Sequence, residues 1–123
     1  MTNEETSSFE ALKEEVDANG GVITVQAARL RATQGAGRLT ERINAQISDS
    51  LAARGLGHVP FDRKQMPTSQ FADVRVYDRT TTLGRVIEAA HTVGNEYDEL
   101  LRDSIDARAV SIIDQIRNLV APT

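Results

Sequence analysis

The sequence has no cysteine. That excludes disulfides and thiolate metal sites, and it leaves the compartment unreadable from redox chemistry. Aromatic side chains are few: Phe9, Phe61, Phe71, Tyr77 and Tyr97 must share any core with Leu, Ile, Val and Ala. No apolar run approaches the roughly 20 residues of a membrane helix. The opening "MTNEETSSFEALKEE" is acidic and lacks an apolar stretch, so it does not read as a signal peptide. At 123 residues the chain fits one domain, with or without an appendage, and a modest core. A soluble cytoplasmic protein is expected.

Lysine is also scarce, with only Lys13 and Lys64 among the 14 basic residues. The net charge of −4 is unevenly spread. Residues 1–21 carry one lysine and six acids, and residues 80–123 carry four arginines and seven acids. Between them, residues 22–79 carry nine basic and five acidic residues. A basic middle therefore lies between acidic ends. An arginine bias suits planar contacts to phosphate and guanine. A genome rich in G and C gives the same bias without any function.

Residues 1–6 are short, polar and terminal, and read as disordered. "SSFEALKEEVDANGG" reads as a helix. Ser7 and Glu10 have capping-box spacing, Phe9, Leu12 and Val16 share one face, and Gly20 and Gly21 end it. The acidic outer face of this helix is expected to lie away from the basic residues. The β-branched run Val22–Val25 is either a short strand or the extended approach to a helix. Thr24 is placed to cap a short helix from Val25 to Ala32, which "TQGAG" then breaks.

A longer helix follows, about Leu39 to Arg54, with Leu39, Ile43, Ile47 and Leu51 on one stripe and Gly55 closing it. "LGHVP" is extended, and "FDRKQMPTSQ" reads as a loop. "FADVRVYDR" alternates as a strand, with Val74 and Val76 on one face and Arg75 and Tyr77 on the other. A helix capped by a threonine of the run 80–82 buries Leu83, Val86, Ile87 and Ala90 and stops at Gly94. The last helix, residues 95–121, carries a seam through Tyr97, Leu101, Ile105, Ala109, Ile112, Ile116 and Leu119. It either covers its own domain or pairs with a second chain.

The order from residue 8 to residue 79 resembles a winged helix-turn-helix. That resemblance implies a mainly α fold with a small β-hairpin, organised as a winged-helix domain over residues 7–94. The last helix, residues 95–121, then serves dimerisation through Leu101, Ile105, Ile112, Ile116 and Leu119. The recognition helix would be Arg38 to Arg54. The wing strands would be Leu56–Pro60 and Asp73–Tyr77, with Phe61–Gln70 as the tip. At the N-terminal end of such a helix Arg38 and Arg42 reach base edges, with Gln46 a turn on and Thr40 and Asn44 at the margin. Arg63 and Lys64 at the wing tip suit phosphate, and Arg29 and Arg31 can anchor the backbone. The alternative is a solvated or protein-contacting face, since Glu41 and Asp49 interrupt the positive charge.

Nothing points to an enzyme, a metal or another cofactor. "QGAGR" lacks the Gly-Lys-Ser/Thr of a phosphate loop, and "NEYDELLRDSID" lacks calcium-loop geometry. His58 and His91 have no cysteine or carboxylate at metal-ligand spacing, and read as a satisfied strand histidine and a helix-end histidine. The resemblance implies a transcriptional regulator or repressor, bacterial or phage in type, binding double-stranded DNA as a homodimer. The other classes open are a protein-interaction adaptor and an oligomeric assembly protein.

Overall fold

The computed structural model describes residues 8–104 and 114–116. In order these form α1 (Phe9–Ala18), β1 (Val22–Gln26), α2 (Ala27–Gln34), α3 (Glu41–Ala52) and β2 (Leu56–Val59). A 3-10 turn (Arg63–Gln65), β3 (Asp73–Asp78), α4 (Thr82–Ala90) and α5 (Asn95–Asp103) follow. The chain divides into two units, Met1–Arg85 and Val86–Thr123. The first is a small α+β domain, in which the expected hairpin is joined by a third strand. The antiparallel sheet has the order β1-β3-β2.

The sheet settles the reading of Val22–Val25. Ile23 lies opposite Val76 and Val25 opposite Val74, and His58 of β2 lies opposite Val76 on its other side. These residues share the face turned to the helices. Tyr77 emerges on the other face and lies across Gly57, where even a Cβ would meet the ring at 2.5 Å.

Local capping differs from the expectation at three places. Ser8, not Ser7, caps α1, its Oγ accepting from Ala11 N–H at 3.0 Å. The third helical position is thus Ala11, so Glu10 closes no capping box. It accepts instead from Arg54 Nε at 2.7 Å. Thr24 lies inside β1 and α2 begins at Ala27. Its first N–H groups are satisfied by the loop before β3, Ala27 N–H on Ala72 O at 2.8 Å and Ala28 N–H on Gln70 O at 2.9 Å. Finally, α3 starts at Glu41, because the Thr40 side chain accepts from Ile43 N–H at 3.1 Å.

One core joins these elements. Phe9, Leu12 and Val16 of α1 meet Leu30 of α2, Ile47 and Leu51 of α3, and Val74 and Val76 of β3. Each such fully buried aliphatic side chain contributes about 1.5–3 kcal/mol. The stripe expected on α3 is present, with Ile47 and Leu51 fully enclosed, Leu39 at its start, and Ile43 partly buried.

α4 departs from its expected stripe. Leu83 is 40% exposed and Ala90 is exposed, while Gly84 and Ala89 are buried. The reason is the turn out of β3. Thr81 Oγ1 donates to Asp78 O at 2.8 Å and accepts from Gly84 N–H at 2.9 Å, which draws Gly84 against the strand end. Leu83, about 100° round the helix, is left outward.

α5 runs Asn95–Asp103 with Gly94 as N-cap, and Ser104 closes it, its backbone N–H reaching Leu100 O at 3.0 Å. Asn95 is therefore the first helical residue. Residues 105–113 and 117–121 of the expected long helix lie outside the described residues, as do residues 1–7 and 122–123. No helix among the described residues is long and apolar enough to cross a membrane.

Candidate nucleic-acid interface

The loop between β2 and β3 packs on the start of α3, and this places the cations. Asn44 is 2% exposed and its Nδ2 donates to Met66 O and Pro67 O, each at 3.2 Å. Met66 is buried beneath the loop. The chain before it turns through the 3-10 segment, where Asp62 Oδ1 accepts from Lys64 N–H at 2.9 Å. Arg63 Nη2 reaches across to Asp49 Oδ1 on α3 at 3.2 Å.

Arg42, Arg63 and Lys64, all exposed, consequently line one groove of about 490 Å³, together with Glu41 and Ala45. Arg38 and Arg42 line a second, of about 430 Å³, beside Thr40 and Ile43. Arg42 belongs to both. Arg38, Arg42 and Lys64 form no ion pair among the described residues. Exposed cations without an ion-pair partner retain an attraction for anions that a paired guanidinium has largely spent.

Several expected contacts are corrected. Arg38 precedes α3, in the turn, so it is not stacked one helical turn below Arg42. Thr40 serves as the helix cap. Asn44 faces the core rather than the margin of an exposed face. Gln46 is half-buried and its Oε1 accepts from Gln34 Nε2 at 3.3 Å, which directs it to α2. Arg29 is held by Glu15 of α1, with Nη2 to Oε2 at 2.5 Å. The acidic first helix thus does reach the middle segment, Arg29 through Glu15 and Arg54 through Glu10, contrary to expectation. Arg29 is the worse placed for phosphate because of it. Arg31 Nη1 donates to Ala36 O at 2.9 Å. Glu41, though beside them in sequence, pairs with neither Arg38 nor Arg42.

Of the expected dimer residues, Leu101 is half-buried and Ile116 is 54% exposed. Ile105, Ile112 and Leu119 lie outside the described residues.

Charge elsewhere is largely structural. The Arg29 guanidinium bonded to Glu15 holds that carboxyl below its usual value. Asp78 is lowered chiefly by the Thr80 hydroxyl and backbone N–H, both of which it accepts. Lys13 is raised by its bond to Asp17, and it also reaches Asp78 at 3.6 Å. No group of three or more His, Cys, Asp or Glu able to hold a metal occurs among the described residues.

His58 is a satisfied core histidine. Pro60 O can only accept, so Nδ1 donates to it at 2.6 Å, and the neutral ring's Nε2 accepts from Ser48 Oγ at 2.8 Å. Burial pushes its pKa below the ordinary imidazole value of 6.5, with the positive charge of Arg63 and Arg79 adding to the effect. The unfolded chain therefore takes up this proton first as pH falls. The stability tied to the neutral ring is full above about pH 6.5 and is lost as pH drops toward the folded value. Urea unfolding between about pH 8 and pH 5.5 should show this slope in the parent and a flatter one in His58→Gln. Equal slopes would mean that the ring is not neutral and enclosed in the folded protein. The carboxylates of Glu15 and Asp78 titrate below this window.

Set against protein families, curated proteins and solved structures, the chain matches none.

Proposed function

We propose that this is a cytoplasmic winged-helix protein that binds double-stranded DNA and regulates transcription by occupying its site. One observation carries the reading: Arg42 of α3 and Arg63 and Lys64 of the β2–β3 loop line a single groove. In a winged-helix reading, α3 is the recognition helix and that loop is the wing. The order α1-β1-α2-α3-β2-β3, with β1 and β2 flanking β3, supports it. Arg42, one residue into α3, is suited to a base edge, and Arg38 and Lys64 to phosphates on either side, with Arg63 joining them when its pair with Asp49 opens. Thr40, Asn44 and Gln46 fix the helix and the loop rather than read bases. The partly exposed Leu100 and Ile116 support a second copy of the chain as partner, which would present two such helices to a palindromic site.

Fluorescence anisotropy with a labelled random-sequence duplex tests this. The parent should bind at low salt, with log affinity falling by about 0.9 per neutralised phosphate for each decade of salt. Arg42→Ala should cost roughly 1–3 kcal/mol. Light scattering on the complex reports whether one chain or two is bound. Absence of binding at low salt would sink the reading.

A second reading has one observation in its favour. Phe71 is 74% exposed and Phe61 43%, both in the connection that holds Arg63 and Lys64. Exposed aromatics flanking a polar loop suit contact with a protein partner, and binding there would not weaken steeply with salt.

A further inference from the structure

The second half of the β2–β3 loop is fastened on both sides. Asn44 holds the carbonyls of Met66 and Pro67, and the first turn of α2 binds the carbonyls of Gln70 and Ala72. The stretch between, residues 68–70, is thereby laid beside the turn that joins α2 to α3. A depression of about 130 Å³ results, lined by Arg31, Arg38, Thr68 and Gln70 with Gly37 and Leu39. Two arginines, a threonine and a glutamine contribute to the lining of one small space, and no acidic residue does.

Arg31 supplies the sharper observation. Its Nη1 is committed to Ala36 O at 2.9 Å, which fixes the plane of the guanidinium. Its Nε is enclosed and has no hydrogen-bond partner among the described residues. An enclosed cationic N–H without an acceptor is unfavourable, and such groups are uncommon in folded proteins. The edge formed by Nε and Nη2 is the one that meets two oxygens of a tetrahedral anion side by side.

We propose that this depression is a seat for a phosphate group. Arg31 offers its fork, Arg38 the second positive charge, and Thr68 and Gln70 the neutral donors. The group it takes is a backbone phosphate of the bound duplex, because Arg38 also lines the adjoining groove shared with Arg42. The seat thus rests on the DNA reading and extends it: the far half of the wing and the turn before α3 grip one strand together. A free phosphate ester has the same chemistry, and the experiment separates the two sources.

The Arg31 Nε–H signal, identified by its loss in Arg31→Lys, is followed in ¹H–¹⁵N spectra of the full chain. Inorganic phosphate at millimolar concentration and a short duplex are titrated separately. Both should move the signal. Thr68→Glu, a change at an exposed loop position that leaves the fold intact, should abolish both shifts. It should also weaken duplex binding about tenfold relative to Thr24→Glu, which adds the same charge at an exposed site on the sheet. If the duplex binds but the signal stays still in both titrations, the seat is overturned and the DNA reading survives. If phosphate moves the signal and the bound duplex does not, the backbone assignment is overturned in favour of a free ester. If phosphate moves it and no duplex binds at all, the seat stands and the DNA reading falls.

Discussion

Gly84→Ala is expected to destabilise the protein by about 3 kcal/mol or more, at the upper end of what overpacking costs. The added Cβ would sit 1.9 Å from Asp78 O, 2.8 Å from Asp78 C and 3.0 Å from Arg79 Cα. All three are backbone atoms, so no side chain can swing aside. The strand end cannot retreat either. Asp78 N–H is bonded to Gly21 O at 2.9 Å, and Asp78 O accepts from the Thr81 hydroxyl. Relief requires α4 to move off β3, which breaks the Thr81 bonds at both ends. For a domain of ordinary stability, about 5–15 kcal/mol, this is a large fraction of the total. Gly37→Ala is the control, since nothing lies within 4 Å of its Cβ position and its φ is unremarkable for any residue. It should stay within about 0.5 kcal/mol of the parent. Urea midpoints of the three proteins decide the matter. A Gly84→Ala midpoint equal to the parent's would mean that α4 does not leave β3 by this tight turn.

The elements legible in the sequence were those whose cause is local. The stripe Leu39, Ile43, Ile47, Leu51 marked α3, alternation marked β3, and Gly20 and Gly21 marked the end of α1 with the Gly21 N–H closing on Val16 O at 2.9 Å. The elements left open or misread are those decided by partners far along the chain. Val22–Val25 is a strand because Asp73–Asp78 lies beside it, and no periodicity within five residues can say so. α2 needs no capping side chain because loop carbonyls more than 40 residues away receive its N–H groups. Thr24 was the nearest residue of the right type, and type alone misled.

The candidate site divides in the same way. The winged-helix resemblance groups Arg42, Arg63 and Lys64, and the three line one groove. The helix start was misplaced by about two residues, because Thr40 is a better cap than Arg38 and stops the helix from beginning earlier. Arg29 looked equivalent to Arg31 in sequence. Glu15 lies 14 residues before it, and only the packing of α1 brings the two together. Thr68 and Gln70 carried no sequence signal at all.

Asn44 is the residue on which the sequence and the structure differ most in consequence. Its type suggests a base-reading side chain on an exposed helix face, and adenine is a natural partner for a carboxamide. Its position instead makes it the tie between α3 and the wing loop. Asn44→Leu keeps roughly the same volume but leaves two carbonyls, Met66 O and Pro67 O, without their donor. A buried acceptor left unsatisfied costs about 1–3 kcal/mol. Met66 lies wholly inside, whereas Pro67 is half-buried and can recover part of its loss from water. The sum expected is therefore about 2–4 kcal/mol, reduced somewhat by the apolar gain of leucine. Asn44→Asp removes the donor and adds a carboxylate facing two carbonyl oxygens, and should be worse. Because the tie also orders residues 63–70, duplex affinity should fall in both variants even under conditions where they remain folded. The rank order of preferred sequences should not change. A base reader behaves in the opposite way: Asn44→Ala would leave the urea midpoint where it was and relax preference at one base pair by about 1–3 kcal/mol. Unfolding curves and binding to a panel of single-base-pair variants, measured on the same preparations, separate the two roles. An unchanged midpoint with a relaxed preference would return Asn44 to the DNA face.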